Sequence, residues 1–156
     1  MTGRDQIWQR RRAASLTFTV VRVAVGALFL VRGWQKLTDM SGTVAAFTQL
    51  GVPAPGLLVY LAIFAECVGG LGVLLGAFTP IATLGPIIAT SAAIYFVHAA
   101  NGPAARSGGW ELQLILLLVC LHLAVRGGGE YSLDARMRVR GRPRFRRRHR
   151  HVAVQT

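Results

Sequence analysis

Hydrophobic residues along this chain fall into long runs separated by short polar stretches, with no period-2 alternation of the kind a strand would show. Four runs stand out, at residues 16–34, 56–75, 79–100 and 110–125. Each is near the roughly 20 residues that a helix needs to cross a ~30 Å hydrocarbon layer, the fourth being the shortest. The missing alternation also argues against a membrane barrel. The pattern therefore predicts an all-α fold, a bundle of four transmembrane helices. Between the first two runs, TVAAFTQL is a short amphipathic stretch ended by GVPAP. That predicts a half-helix lying at the interface in the first outer loop. The second and third runs are joined by GAFTP, a tight turn.

Composition sharpens this picture. Hydrophobic residues make up 53% of the 156, and only six side chains are acidic. Residues 4–12 hold four arginines and residues 136–150 hold nine, whereas the stretch between them holds five basic residues. Charge at the ends and apolar runs between them is the layout of an integral membrane protein. The chain divides into a basic N-terminal segment at 1–15, a membrane domain at 16–134 and a basic, disordered tail at 135–156. Four crossings put both termini on one side, and the arginines make that side the cytoplasm. The net charge of +12 then reflects topology and contact with anionic lipid headgroups. Nucleic acid is not an expected partner, because RMRVRGRPRFRRRHR carries one aromatic, Phe145, and no stacking pattern. Arg22 interrupts the first run and no A-x-A site follows it, so that run reads as an uncleaved span.

An ionisable group at membrane depth is costly and usually faces a partner or a cavity. Glu66 sits in the middle of the second run, on a helical face shared with Ala62, Gly69, Gly70 and Val73. Such small residues allow another helix to approach. In the first run, Arg22, Gly26, Phe29, Gly33 and Lys36 form one stripe. Counting 1.5 Å per residue from Trp34 and from Gly56 places Arg22 and Glu66 at similar depth, so a buried Arg22–Glu66 ion pair is expected. Lys36, the only lysine, ends the stripe either as an interfacial anchor or as a functional ammonium. Lys36, His98, Glu111, Tyr95, Trp110 and Trp34 all fall near the outer boundary. They are expected either to line an outer polar pocket or to stand as separate, solvated helix ends. Phe47 joins the two tryptophans as a ring that could flank a bound ligand there.

Other chemistry finds less support. His98 and His122 lie at opposite ends of their runs and cannot share one haem iron. Cys67 and Cys120 have no C-x-x-C spacing and read as small buried residues. Neither a metal site nor a self-contained catalytic apparatus emerges.

Taken in order, the segments GWQKL, FTQLGVPAP, AECVGGLGVLLGAFTP, GGWE and GGGEYSLD resemble the DoxX family of small four-helix bacterial membrane proteins. The resemblance covers about residues 16–134 and rests on Gly33, Lys36, Gly51, Pro53, Glu66, Gly70, Gly76, the GGWE and the final SLD together. It implies a helical bundle in the bacterial plasma membrane and redox-linked work. The family takes its name from a subunit of a thiosulfate:quinone oxidoreductase, and relatives sit in complexes with soluble oxidoreductases that handle sulfur or superoxide. Others look like assembly factors. A quinone is thus an implied cofactor and a soluble oxidoreductase an implied partner. Any activity would be that of a subunit of a quinone-linked oxidoreductase. No catalytic residues carry over; the matched positions mark the polar interior. The resulting expectation is a membrane subunit or accessory protein of a quinone- or sulfur-related redox complex. A scaffold or assembly factor is the second reading, and a proton-coupled solute carrier the third.

Overall fold

The computed structural model describes residues 3–140, and the side chains of 6–138. The described residues are helical and contain no strand. Helix α1 runs from Gly3 to Thr38, α2 from Met40 to Gln49, α3 from Pro55 to Leu75, α4 from Thr79 to Ala82 and α5 from Leu84 to Ala93. A π-helical turn, Ile94–His98, and a 3-10 turn, Ala99–Asn101, extend α5. After a loop holding a second 3-10 turn, α6 covers Glu111–Arg126 and α7 covers Leu133–Arg140.

Three segments are long and apolar enough to cross a membrane: Gln6–Thr38, Pro55–Leu75 and Thr79–Asn101. Only 22%, 28% and 17% of their apolar stretches is buried within the protein. Leu28, Phe64, Leu71, Ile81 and Ile88 instead point outward. An aqueous protein could not carry so much outward apolar surface, whereas hydrocarbon solvates it. This is a membrane protein. Helix α6, at 16 residues, is shorter than the other three.

Two expected boundaries differ from the structure. The N-terminal segment expected at 1–15 is, from Gly3 onward, continuous with the first span, because nothing between Gly3 and Leu16 breaks the helix. The tail boundary expected at 135 falls inside α7, which starts where the Ser132 hydroxyl accepts the Ala135 N–H at 3.1 Å. The arginine-rich stretch from 141 to 156 lies outside the described residues.

Helices α1 and α3 pack antiparallel in van der Waals contact of their backbones. A Cβ on Gly26 would lie 2.5 Å from the backbone nitrogen of Leu74, which only glycine tolerates. Val25, Phe29, Val73, Leu116, Cys120 and Leu123 fill the centre of the bundle.

Below that core, the turn between α3 and α4 is clamped from both sides. Arg22, 2% exposed, donates from Nη1 to the carbonyls of Val73 at 2.8 Å and Leu74 at 2.7 Å, and from Nη2 to Tyr131 O at 2.9 Å. It thereby adds donors to carbonyls at the end of α3, where Val73 O also accepts the Gly76 N–H at 3.1 Å. From the other side, the Asp134 carboxylate accepts the N–H groups of Phe78 at 2.7 Å and Thr79 at 3.0 Å, and the Thr79 hydroxyl at 2.8 Å. It caps the start of α4 from another element.

Burial pushes the Asp134 carboxyl up, but those hydrogen bonds, with Arg138 nearby, outweigh it and leave its pKa below the ordinary 3.8. A carboxyl depressed on folding stabilises the folded state above its unfolded pKa, and that contribution is lost as pH falls through the folded value. Melting curves in mild detergent taken at decreasing pH below 4 should therefore show a fall in stability that Asp134→Asn lacks. Parallel curves for the two proteins would show that Asp134 does not hold this turn.

Candidate functional site

At the opposite end of the bundle from Arg22, α1 carries Arg32 and Lys36 one turn apart on one face. Gly33 between them lets α3 come close: a Cβ there would meet Cys67 Sγ at 2.5 Å and Glu66 Cβ at 3.3 Å. Glu66 is held level with Gly33 in this way, and Lys36 Nζ donates to its Oε2 at 2.6 Å. The Glu66 side chain is 7% exposed and that of Lys36 25%.

The expected Arg22–Glu66 pair is therefore not formed. Glu66 pairs with Lys36, and Arg22 holds the end of α3. The reason is register. With Gly26 against Leu74 and Gly33 against Cys67, Arg22 comes opposite Gly76, ten residues or roughly 15 Å along α3 from Glu66. Trp34 and Gly56 are not level, because α1 continues to Thr38 and α2 intervenes before α3 begins.

Arg32 Nη1 donates to Gln113 Oε1 at 2.8 Å. Gln113 Nε2 lies 3.2 Å from His98 Nε2, and His98 Nδ1 lies 2.6 Å from Gly108 O. These partners assign the imidazole: Nε2 accepts from the amide, and Nδ1–H donates to the carbonyl. The chain of bonds ties α1, α6 and the π-helical turn to the loop before α6.

These groups meet at one end of a cavity of about 410 Å³. Its polar lining is Arg32, Lys36, Glu66, His98, Gln113 and Thr90; Phe47, Val52, Phe96 and several alanines make up much of the rest. The Thr90 residue is 1% exposed and its hydroxyl has no hydrogen-bond partner. A broader, shallower depression at the other end, about 730 Å³, is lined by Ser15, Arg126, Glu130 and Asp134 among others. Its acids already have partners, Ser15 to Glu130 at 2.7 Å and Thr79 to Asp134. The cavity beside the Lys36–Glu66 pair, with its unpartnered Thr90 hydroxyl, is the better candidate.

Of the expected outer pocket, Lys36 and His98 line the cavity, as does Phe47. Tyr95 and Trp34 face outward, Trp110 is half-buried outside the lining, and Glu111 is exposed and accepts the Ala105 N–H at 3.3 Å. The π-helical turn explains Tyr95. It puts more residues into the turn and so narrows the angle between successive ones, which lets Phe96, Val97 and His98 all reach the cavity while Tyr95 stays outside, its ring edge-on to Phe96. Arg32, Gln113 and Thr90 were missed. Arg32 was findable as the residue four before Lys36; uncharged Gln113 and Thr90 carried no signal above background.

Comparison with known proteins agrees with this architecture. The chain is 31% identical over 115 residues to the inner membrane protein YqjF of Escherichia coli (strain K12), covering 74% of this chain and 87% of that protein. It is 31% identical over 115 residues to CatD of Bacillus subtilis (strain 168), provisionally named an oxidoreductase, covering 74% and 82%. The inner membrane protein YphA of Escherichia coli (strain K12) is 30% identical over 131 residues, 80% of this chain and 92% of that protein. No solved structure matches at a significant level. The DoxX family model matches residues 17–99, a stretch that includes Arg32, Lys36, Glu66, Thr90 and His98, and with these relatives it establishes that the chain belongs to the DoxX family.

Proposed function

We propose that this protein is the membrane subunit or accessory protein of a redox-linked complex, and that its cavity is the complex's site for a redox-active small molecule, a quinone or a sulfur species. In this reading α6 is the fourth crossing, α2 lies at the outer interface, and both termini are cytoplasmic. The arginines at 4, 10, 11, 12, 126, 136 and 138 lie at the end away from the cavity, which suits the positive-inside rule. Anionic headgroups then contact the basic ends. The observation that carries the reading is the cavity: a partly buried ion pair, a second cation and an unpartnered hydroxyl in a largely apolar lining, the composition expected of a small-molecule site. The provisional name of CatD points toward redox work. A carrier is less well supported, since the packed core around Phe29 and Leu116 lies between the cavity and the Arg22 clamp.

Purification in mild detergent, with mass spectrometry of all that stays bound, tests this. The expected result is a redox-active small molecule at about one per chain, together with a soluble oxidoreductase. A preparation with an empty cavity and no oxidoreductase overturns the reading.

A further inference from the structure

The wall of the cavity between α3 and α5 differs from the others. Lower down, these helices touch: Gly69 packs against Pro86, and a Cβ on Gly85 would lie 2.6 Å from Ala65 O. Toward the cavity they are faced by Ala62 and Ala65 on α3 and by Ala89, Ala92 and Ala93 on α5. Alanine side chains are too short to close the gap. Leu61 and Ile88 line the same cavity and are also 52% and 67% exposed on the outward, apolar surface of the bundle. One wall of the cavity is therefore continuous with the lipid-facing surface.

The inner end is chemically one-sided. Lys36 and Glu66 neutralise each other, and among the described residues Arg32 has no carboxylate partner. Its guanidinium has five N–H donors, and one hydrogen bond is made, to Gln113. Arg32 and Thr90 both belong to the cavity lining, and the Thr90 hydroxyl is buried there without a hydrogen-bond partner. An oxygen acceptor placed beside Arg32 would meet donors that the protein itself leaves unused.

We infer that the cavity takes a membrane-dissolved amphiphile, entering sideways between α3 and α5, whose oxygen-bearing head (ring carbonyl or carboxylate) is held by Arg32 and Thr90 while its apolar tail lies along the alanine-lined slot. This rests on the proposed reading of the cavity as a ligand site and narrows it: a small hydrophilic sulfur oxyanion would leave the slot empty.

The test uses the full chain in lipid nanodiscs and four probes: a decyl-substituted benzoquinone, the same ring without its tail, palmitate, and thiosulfate. Binding is read by native mass spectrometry after release. The tailed quinone, palmitate or both should bind at least tenfold more tightly than the tail-less ring and thiosulfate, and whichever binds identifies the head. Arg32→Gln and Thr90→Val should each weaken that binding by about tenfold. Ala62→Phe and Ala89→Phe fill the slot and should abolish it while the melting temperature holds. Should either fail to fold, Leu61→Ala, which widens the slot, should speed association of the tailed probe severalfold. Unchanged binding in the slot-filled variants, or an unchanged rate in Leu61→Ala, overturns lateral entry. Thiosulfate or the tail-less ring binding as tightly as the tailed probes overturns the amphiphile and leaves the redox-site reading standing. Failure of all four probes to bind removes both.

Discussion

Arg22→Ala should be the most damaging single substitution in the membrane domain, lowering stability by about 3–5 kcal/mol. Three hydrogen bonds from a charged donor disappear together, each worth about 1.5–3 kcal/mol; the carbonyls of Leu74 and Tyr131 lose the Arg22 donor, and that of Val73 keeps the Gly76 N–H. The effects overlap, so they do not simply add. Arg22→Lys should fall between alanine and the native residue, since a single ammonium cannot span both the α3 end and Tyr131 as the guanidinium fork does. Denaturant or thermal unfolding in mild detergent reads the difference. Because the clamp and the cavity lie at opposite ends, whatever protein remains folded should keep its ligand. A melting temperature equal to that of wild type would show that the clamp contributes nothing.

Lys36→Met is expected to cost about 2–3 kcal/mol, somewhat below the usual penalty for breaking a buried ion pair because the Lys36 side chain is a quarter exposed. It leaves a carboxylate in an apolar enclosure. Glu66→Gln should cost less, since the amide oxygen can still accept from Lys36, and it should be milder than Arg22→Ala. The informative protein is the double variant: with both charges gone, no uncompensated ion remains, and most of the Lys36→Met loss should return. Additive losses across this cycle, read as melting temperatures, would show that the two groups do not interact. The sign of the coupling separates a pair that neutralises itself from two residues that merely sit nearby.

Much of this protein could be read from its sequence, because in a membrane local patterning carries unusual weight. Every spanning backbone must satisfy its own hydrogen bonds, so an apolar run of sufficient length has few alternatives to a helix. That is why residues 56–75 read as a span and the structure places α3 at Pro55–Leu75. Glu66 was legible too, since an acid at that depth demands a partner. The same logic found Gly33 and Lys36 on the stripe that meets it.

The identity of each partner could not be read in this way. Which residue of α1 stands opposite Glu66 depends on how far one helix slides along the other, and that offset is decided by where Gly26 and Gly33 let the backbones touch. A slide of a few residues exchanges Lys36 for Arg22 without altering any local pattern. The cavity has the same origin. Arg32, Gln113, Thr90 and His98 come from α1, α6, α5 and the π-helical turn, and their meeting reflects the splay of α3 from α5 and one widened turn. Periodicity reports which face of a helix is polar; only packing among several helices determines what that face meets.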